Sequence, residues 1–192
     1  MTVPYSSQLP QSIGQLNNVE IDTGTLANDD IIKYSTASNT WVNAVASGGG
    51  KVLNAVGVVN ATAASNNTVT YIASNLTATI TPSSATSKVL VMMSSNGRID
   101  DLGSMTYTLY QDIGGAGGVD LAPTSNGFGK IAHGQAGMRL DTPIGLVHLA
   151  SPATTAAVVY TIYFKAEAAG RTGECPPYNG LSQNMILLEI GA

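Results

Sequence analysis

The sequence predicts an all-β protein: an antiparallel jelly-roll-like β-sandwich preceded by an extended N-terminal arm and a short hairpin. Three observations carry that expectation. Beyond Lys51 apolar and hydroxyl residues alternate with a period of two, as where Leu76, Ala78 and Ile80 interleave with Thr77, Thr79 and Thr81. Turn residues recur between such runs: Asn66-Asn67, Ser95-Asn96-Gly97, the glycine-rich residues 114–118, Ser125-Asn126-Gly127, Asp141-Thr142-Pro143, Pro176-Pro177 and Asn179-Gly180. Charged residues make up only 10% of the chain, against roughly a quarter in an ordinary soluble domain. Strands at this spacing with no helical period indicate a sandwich, of which the jelly roll is the eight-stranded form.

The arm comes first. Residues 1–27 hold Pro4, Pro10, Gly14 and Gly24 among Ser, Gln, Asn and Thr, with isolated Leu9, Ile13, Leu16, Val19 and Ile21. Scattered apolar residues bury too little area to offset chain entropy. Such an arm needs a surface, whether a neighbouring subunit, another protein or its own domain, and Tyr5, Leu9, Ile13 and Leu16 are its interface candidates. Residues 29–34 and 40–43 then read as two short strands around a turn, with Tyr34 and Trp41 as near cross-strand partners. That pairing is worth about 0.5–1.5 kcal/mol beyond area burial. A lone hairpin is marginal in water, so it too calls for a partner. Ser47-Gly48-Gly49-Gly50 is the flexible boundary, which divides the chain into residues 1–50, arm and hairpin, and residues 51–192, the sandwich.

Within the sandwich the expected strands are residues 52–60, 68–73, 76–81, 88–96, 105–113, 131–140, 144–150, 158–167 and 185–190. The centre falls at residues 76–93. Val89, Val91 and Met93 interleave there with Leu90 and Met92, the mark of a strand covered on both faces. Pro82 opens the turn before it, because its ring fixes φ and it has no N–H to give a ladder. Residues 60–66 and 153–157 are the only places for a helical turn. Residues 158–165 and 105–110 carry more apolar surface than one core needs, so either the arm or a symmetry mate covers it; an oligomer is expected, with Val159 and Tyr163 at its interface.

No residue constellation specifies a reaction. His133 and His148 sit in no metal-ligand spacing and read as surface or strand-end residues. Cys175, the single cysteine, lies beside Glu174, whose charge would raise the thiol pKa. Gly127-Phe128-Gly129-Lys130-Ile131 fails as a phosphate loop, since Ile131 replaces the Ser or Thr and Thr124 stands at the first Gly. The acidic pairs Asp29-Asp30 and Asp100-Asp101 lack the ordered spacing of a calcium loop and read, with Arg98, as solvated turn charges. A net charge of -4 with scattered Lys and Arg argues against nucleic acid as a partner. The N-terminal residues lack the basic and apolar regions of a signal peptide, and no apolar run is long enough for a helical membrane span. The expectation is a cytoplasmically made, non-enzymatic protein with no cofactor, no metal and no membrane partner; the Asn-x-Thr sequons at Asn60, Asn66 and Asn75 are then incidental.

Two segments resemble known proteins. Asp30-Ile31-Ile32-Lys33-Tyr34, continuing to Thr40-Trp41-Val42-Asn43, resembles the short hairpin of tail-fibre and other virion appendage proteins of bacteriophages. Lys51-Val52-Leu53, residues 76–91 and Asn184-Met185-Ile186-Leu187-Leu188-Glu189-Ile190 resemble a domain of fibre and surface proteins of marine and freshwater phages, cyanophages included. The resemblance implies a trimeric β-sandwich without enzymatic activity, located in the virion. In long fibres such domains close a large polypeptide, whereas here the hairpin starts near residue 30. That turns the expectation toward a small capsid decoration or cement protein, a homotrimer in contact with the major capsid protein or another virion protein, with a tail fibre or receptor-binding tip as the alternative.

Overall fold

The computed structural model describes residues 19–20, 31–44, 51–100, 102–177 and 180–191, and every regular element among them is a strand. The chain divides into two compact units, Met1–Gly48 and Gly49–Ala192. In the first, β1 (Val19–Glu20), β2 (Ile31–Ser35) and β3 (Thr40–Ala44) form a small sheet in the order β1-β3-β2, with β1 parallel and β2 antiparallel to β3. Asn39, at φ 56°, closes the tight turn between β2 and β3, a conformation that Asn tolerates better than most residues.

The second unit contains β4 (Val52–Asn60), β5 (Ser65–Asn66), β6 (Ile72–Ile80), β7 (Lys88–Asp100), β8 (Ser104–Ile113), β9 (Val119–Asp120), β10 (Gly129–Ala132), β11 (Arg139–Ala150), β12 (Val158–Ala166), β13 (Gly173–Glu174) and β14 (Gln183–Ile190). One sheet runs β11-β7-β14-β4, with β13 and β5 continuing it beyond the end of β14. The other runs β10-β8-β12-β6, with β9 beside the far end of β8. All pairings are antiparallel. Taking β4, β6, β7, β8, β10, β11, β12 and β14 as the eight long-range strands in chain order, the sheets read first-eighth-third-sixth and second-seventh-fourth-fifth. This is the strand order of a jelly roll, so the fold is the expected antiparallel β-sandwich.

Alternation explains the core. Leu76, Ala78 and Ile80 of β6, Val89 and Val91 of β7, Met105 and Leu109 of β8, Tyr160, Ile162 and Phe164 of β12, and Met185 and Leu187 of β14 all point inward and are buried. β6 and β7, consecutive in the chain, belong to opposite sheets, so the turn after Pro82 crosses the sandwich instead of closing a hairpin. Its position is fixed from the last strand: the buried Glu189 carboxylate accepts from the Ser83 N–H at 2.7 Å and from the Ser83 hydroxyl at 2.6 Å.

Several expected boundaries are displaced, each for a physical reason. Residues 68–73 are not a strand up to Ala73; the backbone bends at 68–70 and the strand starts at Ile72. There the buried Asn66 side chain accepts from the Thr68 N–H and hydroxyl, both at 2.9 Å, and donates to the Thr70 carbonyl at 2.8 Å, drawing the backbone away from a ladder. The strand expected at residues 131–140 is broken by a loop containing Gly134 and Gly137, the latter at φ 72°. Ser95-Asn96-Gly97 and Asp141-Thr142-Pro143 are not turns at all: they lie inside β7 and β11, paired with each other in register. Residues 60–66 and 153–157 hold no helical turn.

Candidate interaction surfaces

The outer face of the β11-β7-β14-β4 sheet is built by strict register. Val147 lies opposite Met92, Met92 opposite Ile186 and Ile186 opposite Gly57; one step along, Leu149, Leu90, Leu188 and Ala55 form the next row. All eight residues are uncharged. Val147 is 71% exposed, Leu149 50% and Ile186 40%, while Leu90, Met92 and Leu188 are half-buried by their neighbours. Val59, 71% exposed, and Gly145, exposed, flank the first row on the outer strands. Contiguous apolar surface on an outer sheet face is characteristic of interaction sites. The double alternation within residues 88–93 signals this face; Ile186 and Leu188 in the last strand extend it.

The outer face of the other sheet is polar and aromatic. Val159 and Tyr163 both lie on it, half-buried, on the side of β12 away from the core. Tyr163 packs on Tyr110 at 4.1 Å between ring centroids, Tyr71 meets Tyr110 edge-on at 6.4 Å, and Lys165 Nζ sits 4.8 Å from the Tyr71 centroid. Thr106 and Thr108 of β8 are fully buried, because the chain's own residues cover them: the Tyr71 hydroxyl reaches Thr106, and Thr108 donates to Asp120. The second face of residues 105–110 is thus filled from within, and the apolar excess expected there lies on the opposite sheet.

Tyr34 and Trp41 are brought together as expected, directly opposite in register with ring centroids 5.4 Å apart in an edge arrangement. They remain 42% and 40% exposed, beside Ile31 and Ile32 at 47% and 40%. Tyr5, Leu9, Ile13 and Leu16, with the rest of the expected arm, lie outside the described residues.

The charges at Arg98 overturn the reading of a solvated turn. Arg98 is 3% exposed. Its Nε donates to Asp141 Oδ1 at 2.6 Å and its Nη1 to Glu174 Oε2 at 2.9 Å, joining β7 to strands on both of its sides. Hydrogen bonding to Asp141 is the main cause that raises the guanidinium pKa further. Glu174 is therefore committed to Arg98, and it is burial that pushes the Cys175 thiol up to about 11, with a weak contact to Ser95 Oγ opposing it. His148 lies within β11, not at its end; its ring meets Phe128 edge-on at 5.1 Å and burial lowers its pKa. His133 follows the last residue of β10, a strand-end position as expected. Asn66 is 4% exposed and bonded on both side-chain atoms, so that sequon is not accessible. Among the described residues no three His, Cys, Asp or Glu side chains converge as a metal site requires.

Comparison with known proteins adds remote likenesses only. No protein-family model and no curated protein matches the chain. Among solved structures, the chain is similar to one titled as the structure of infectious bursal disease virus, Gx strain, at 10% identity and a TM-score of 0.40, over 85% of this chain and 37% of that one. It is also similar to the D431N mutant VP2 protein of the same virus, from derived T=1 particles, at 11% identity and a TM-score of 0.38, over 86% of this chain and 42% of that one. The chain thus spans less than half the length of either, and the jelly-roll assignment rests on the strand order itself.

Proposed function

We propose that this protein is a non-enzymatic virion structural protein, a phage capsid decoration or cement protein that stabilises the shell through its N-terminal arm and through contacts between subunits of a homotrimer. The observation that carries the reading is the pair of uncharged rows across the outer face of the β11-β7-β14-β4 sheet. A jelly roll by itself leaves function open, since capsid proteins, lectins and cupins share it. A sandwich that presents an apolar outer face as well as its core is built for assembly. The exposed hairpin around Tyr34 and Trp41, which resembles virion appendage hairpins, supports the same reading, because it leaves four large apolar side chains to be covered by a partner. Linked contacts of modest strength suit such a role: each arm that docks raises the effective concentration of the others.

Quantitative mass spectrometry of purified particles tests the reading. Hundreds of copies relative to the major capsid protein are expected; absence from the particle would sink it. Deleting residues 1–27 should leave a folded protein that no longer adds back to capsids, and unchanged decoration by that variant would remove the arm from the mechanism. The alternative, a tail fibre or receptor-binding tip, draws on the exposed glycine-rich loop at residues 114–118, where Gly114, Gly115 and Gly117 all have positive φ. A handful of copies in a low multiple of three, with host-surface binding by the isolated protein, would favour it.

A further inference from the structure

Each free edge of a sheet is a template for another strand, and proteins blunt such edges with charge, proline, bulges or brevity. Among the described residues the edges of this sandwich other than β4 are blunted or short. β11 carries Arg139, Asp141 and Pro143, all exposed. β9 and β10 are two and four residues long. β6 bulges where Asn75, at φ 66°, breaks its register with β12, and the Asn75 carbonyl is taken by the Asn60 side chain at 2.9 Å. β4 is different. Its nine residues, Val-Leu-Asn-Ala-Val-Gly-Val-Val-Asn, hold no charge and no proline, and the one irregularity in its pairing with β14 falls at its start, near Val52. Among the described residues β14 is the only strand that pairs with it.

We propose that the β4 edge is an interaction surface for a second copy of this chain: two β4 strands pair antiparallel across a two-fold axis, joining the β11-β7-β14-β4 sheets of two molecules into one continuous sheet. The choice of occupant follows from charge. An edge without charge of either sign meets its own copy with no like-charge contact in any register, whereas the Arg139 and Asp141 edge does so only in the register that opposes those two residues. Antiparallel pairing of the same segment is self-complementary, as a two-fold interface requires. Ladder hydrogen bonds would supply the contact, as in strand addition generally, and the exposed Ala55, Gly57 and Val59 of the two copies would extend the apolar outer face across the join. The pairing uses backbone groups of β4, where the Val147 and Leu149 rows end at Gly57 and Ala55, and so carries both rows into the second copy. It does not depend on a virion role, because it is read in solution.

Gly57 provides the test. A Cβ placed there meets nothing within 4 Å, so a side chain can be added without disturbing the sandwich, and an unchanged thermal melt checks this. Full-length protein is compared by sedimentation with Gly57→Lys, Gly57→Glu and an equimolar mixture of the two. The expected result is a wild-type species of even subunit number, a species of half that mass for each single variant with association weakened about tenfold or more, and recovery of the larger species in the mixture. The mixture separates edge pairing from a general loss of fit, and Val147→Lys, at the far end of the same row, should keep the even-numbered species, which separates edge pairing from association through the outer face. A wild-type protein without an even-numbered species, Gly57 variants that associate like wild type or dissociate without recovery on mixing, or loss of the even-numbered species in Val147→Lys would each overturn the proposal. Failure of this test leaves copy number per virion untouched, so the two readings fall separately.

Discussion

Arg98 shows how a residue read as a loop charge becomes a structural one. Its neighbours in sequence, Ile99 and Asp100, suggested a turn; register instead sets it opposite Asp141 on one side and Glu174 on the other. Partners 43 and 76 residues away could not be found by local pattern. The two acids are unequal, since the Asp141 side chain is 44% exposed and that of Glu174 13%. Removing Arg98 would take an ion-pair partner from Glu174 in a poorly hydrated site, whereas water can replace much of what Asp141 loses. Arg98→Ala should therefore cost about 3 kcal/mol and Asp141→Asn less than about 1 kcal/mol in urea unfolding; equal losses would mean that the ion pair is not buried as described. Glu189 makes a pH prediction of the same kind. Burial alone would raise its pKa, but hydrogen bonds from the Ser83 hydroxyl and N–H outweigh burial and hold it below the ordinary 4.5. A depressed folded pKa gives stability that is present above 4.5 and lost as pH falls through the lower folded value. Stability should be flat above about pH 5 on this account and fall below it, and Glu189→Gln should flatten the fall while costing about 1–2 kcal/mol at neutral pH.

At the scale of elements, the strands that were legible are those free of turn signals. β4 matches its expected bounds to the residue and β12 nearly so, because neither holds a proline or a turn dipeptide. The two expected turns that lie inside strands come from Gly and Pro used for packing and edge chemistry instead of turning. Gly97 points into the core, where a Cβ would lie 3.0 Å from Met105 Cε, 3.1 Å from Ile131 Cδ1 and 3.3 Å from Ile144 Cγ2. Side chains from three other strands fill the room that a larger residue would take, so β7 runs straight through a sequence that resembles a turn. Pro143 stands on β11, whose other side has no strand partner among the described residues, the one kind of strand that accepts a proline. Gly97→Val should accordingly destabilise the sandwich by about 2 kcal/mol through overpacking, seen as a lower urea midpoint at unchanged slope. A variant as stable as wild type would show that β8, β10 and β11 can give way, and that the glycine is there for another reason. The interaction surfaces were half legible on the same terms. Period-two reasoning found strands apolar on both faces, but which second face stays open is decided by cross-chain cover, such as Tyr71 and Asp120 over β8.

For the whole molecule, the decisive pairing is between the first and last strands of the sandwich: β4 lies against β14, and β14 lies between β4 and β7. The sheet is thus closed by its final eight residues, Gln183–Ile190, which bury Met185 and Leu187 in the core and hold the crossing turn through Glu189. Met1–Gly48 forms a compact unit separate from the sandwich. Two truncations should then behave oppositely. Protein lacking residues 1–48 should melt cooperatively within a few degrees of the full chain, whereas protein lacking residues 183–192 should not fold, because its loss opens the sheet at its second strand and exposes the core from one side. The same topology predicts slow folding: the pairing of residues 52–60 with 183–190 cannot form until the intervening chain has been ordered, and jelly rolls with such non-local pairings fold in milliseconds to seconds or slower. Stopped-flow refolding of residues 49–192 measures it. A submillisecond phase carrying the full amplitude would mean that closure by β14 comes late and adds little, and would contradict the prediction that its removal abolishes folding.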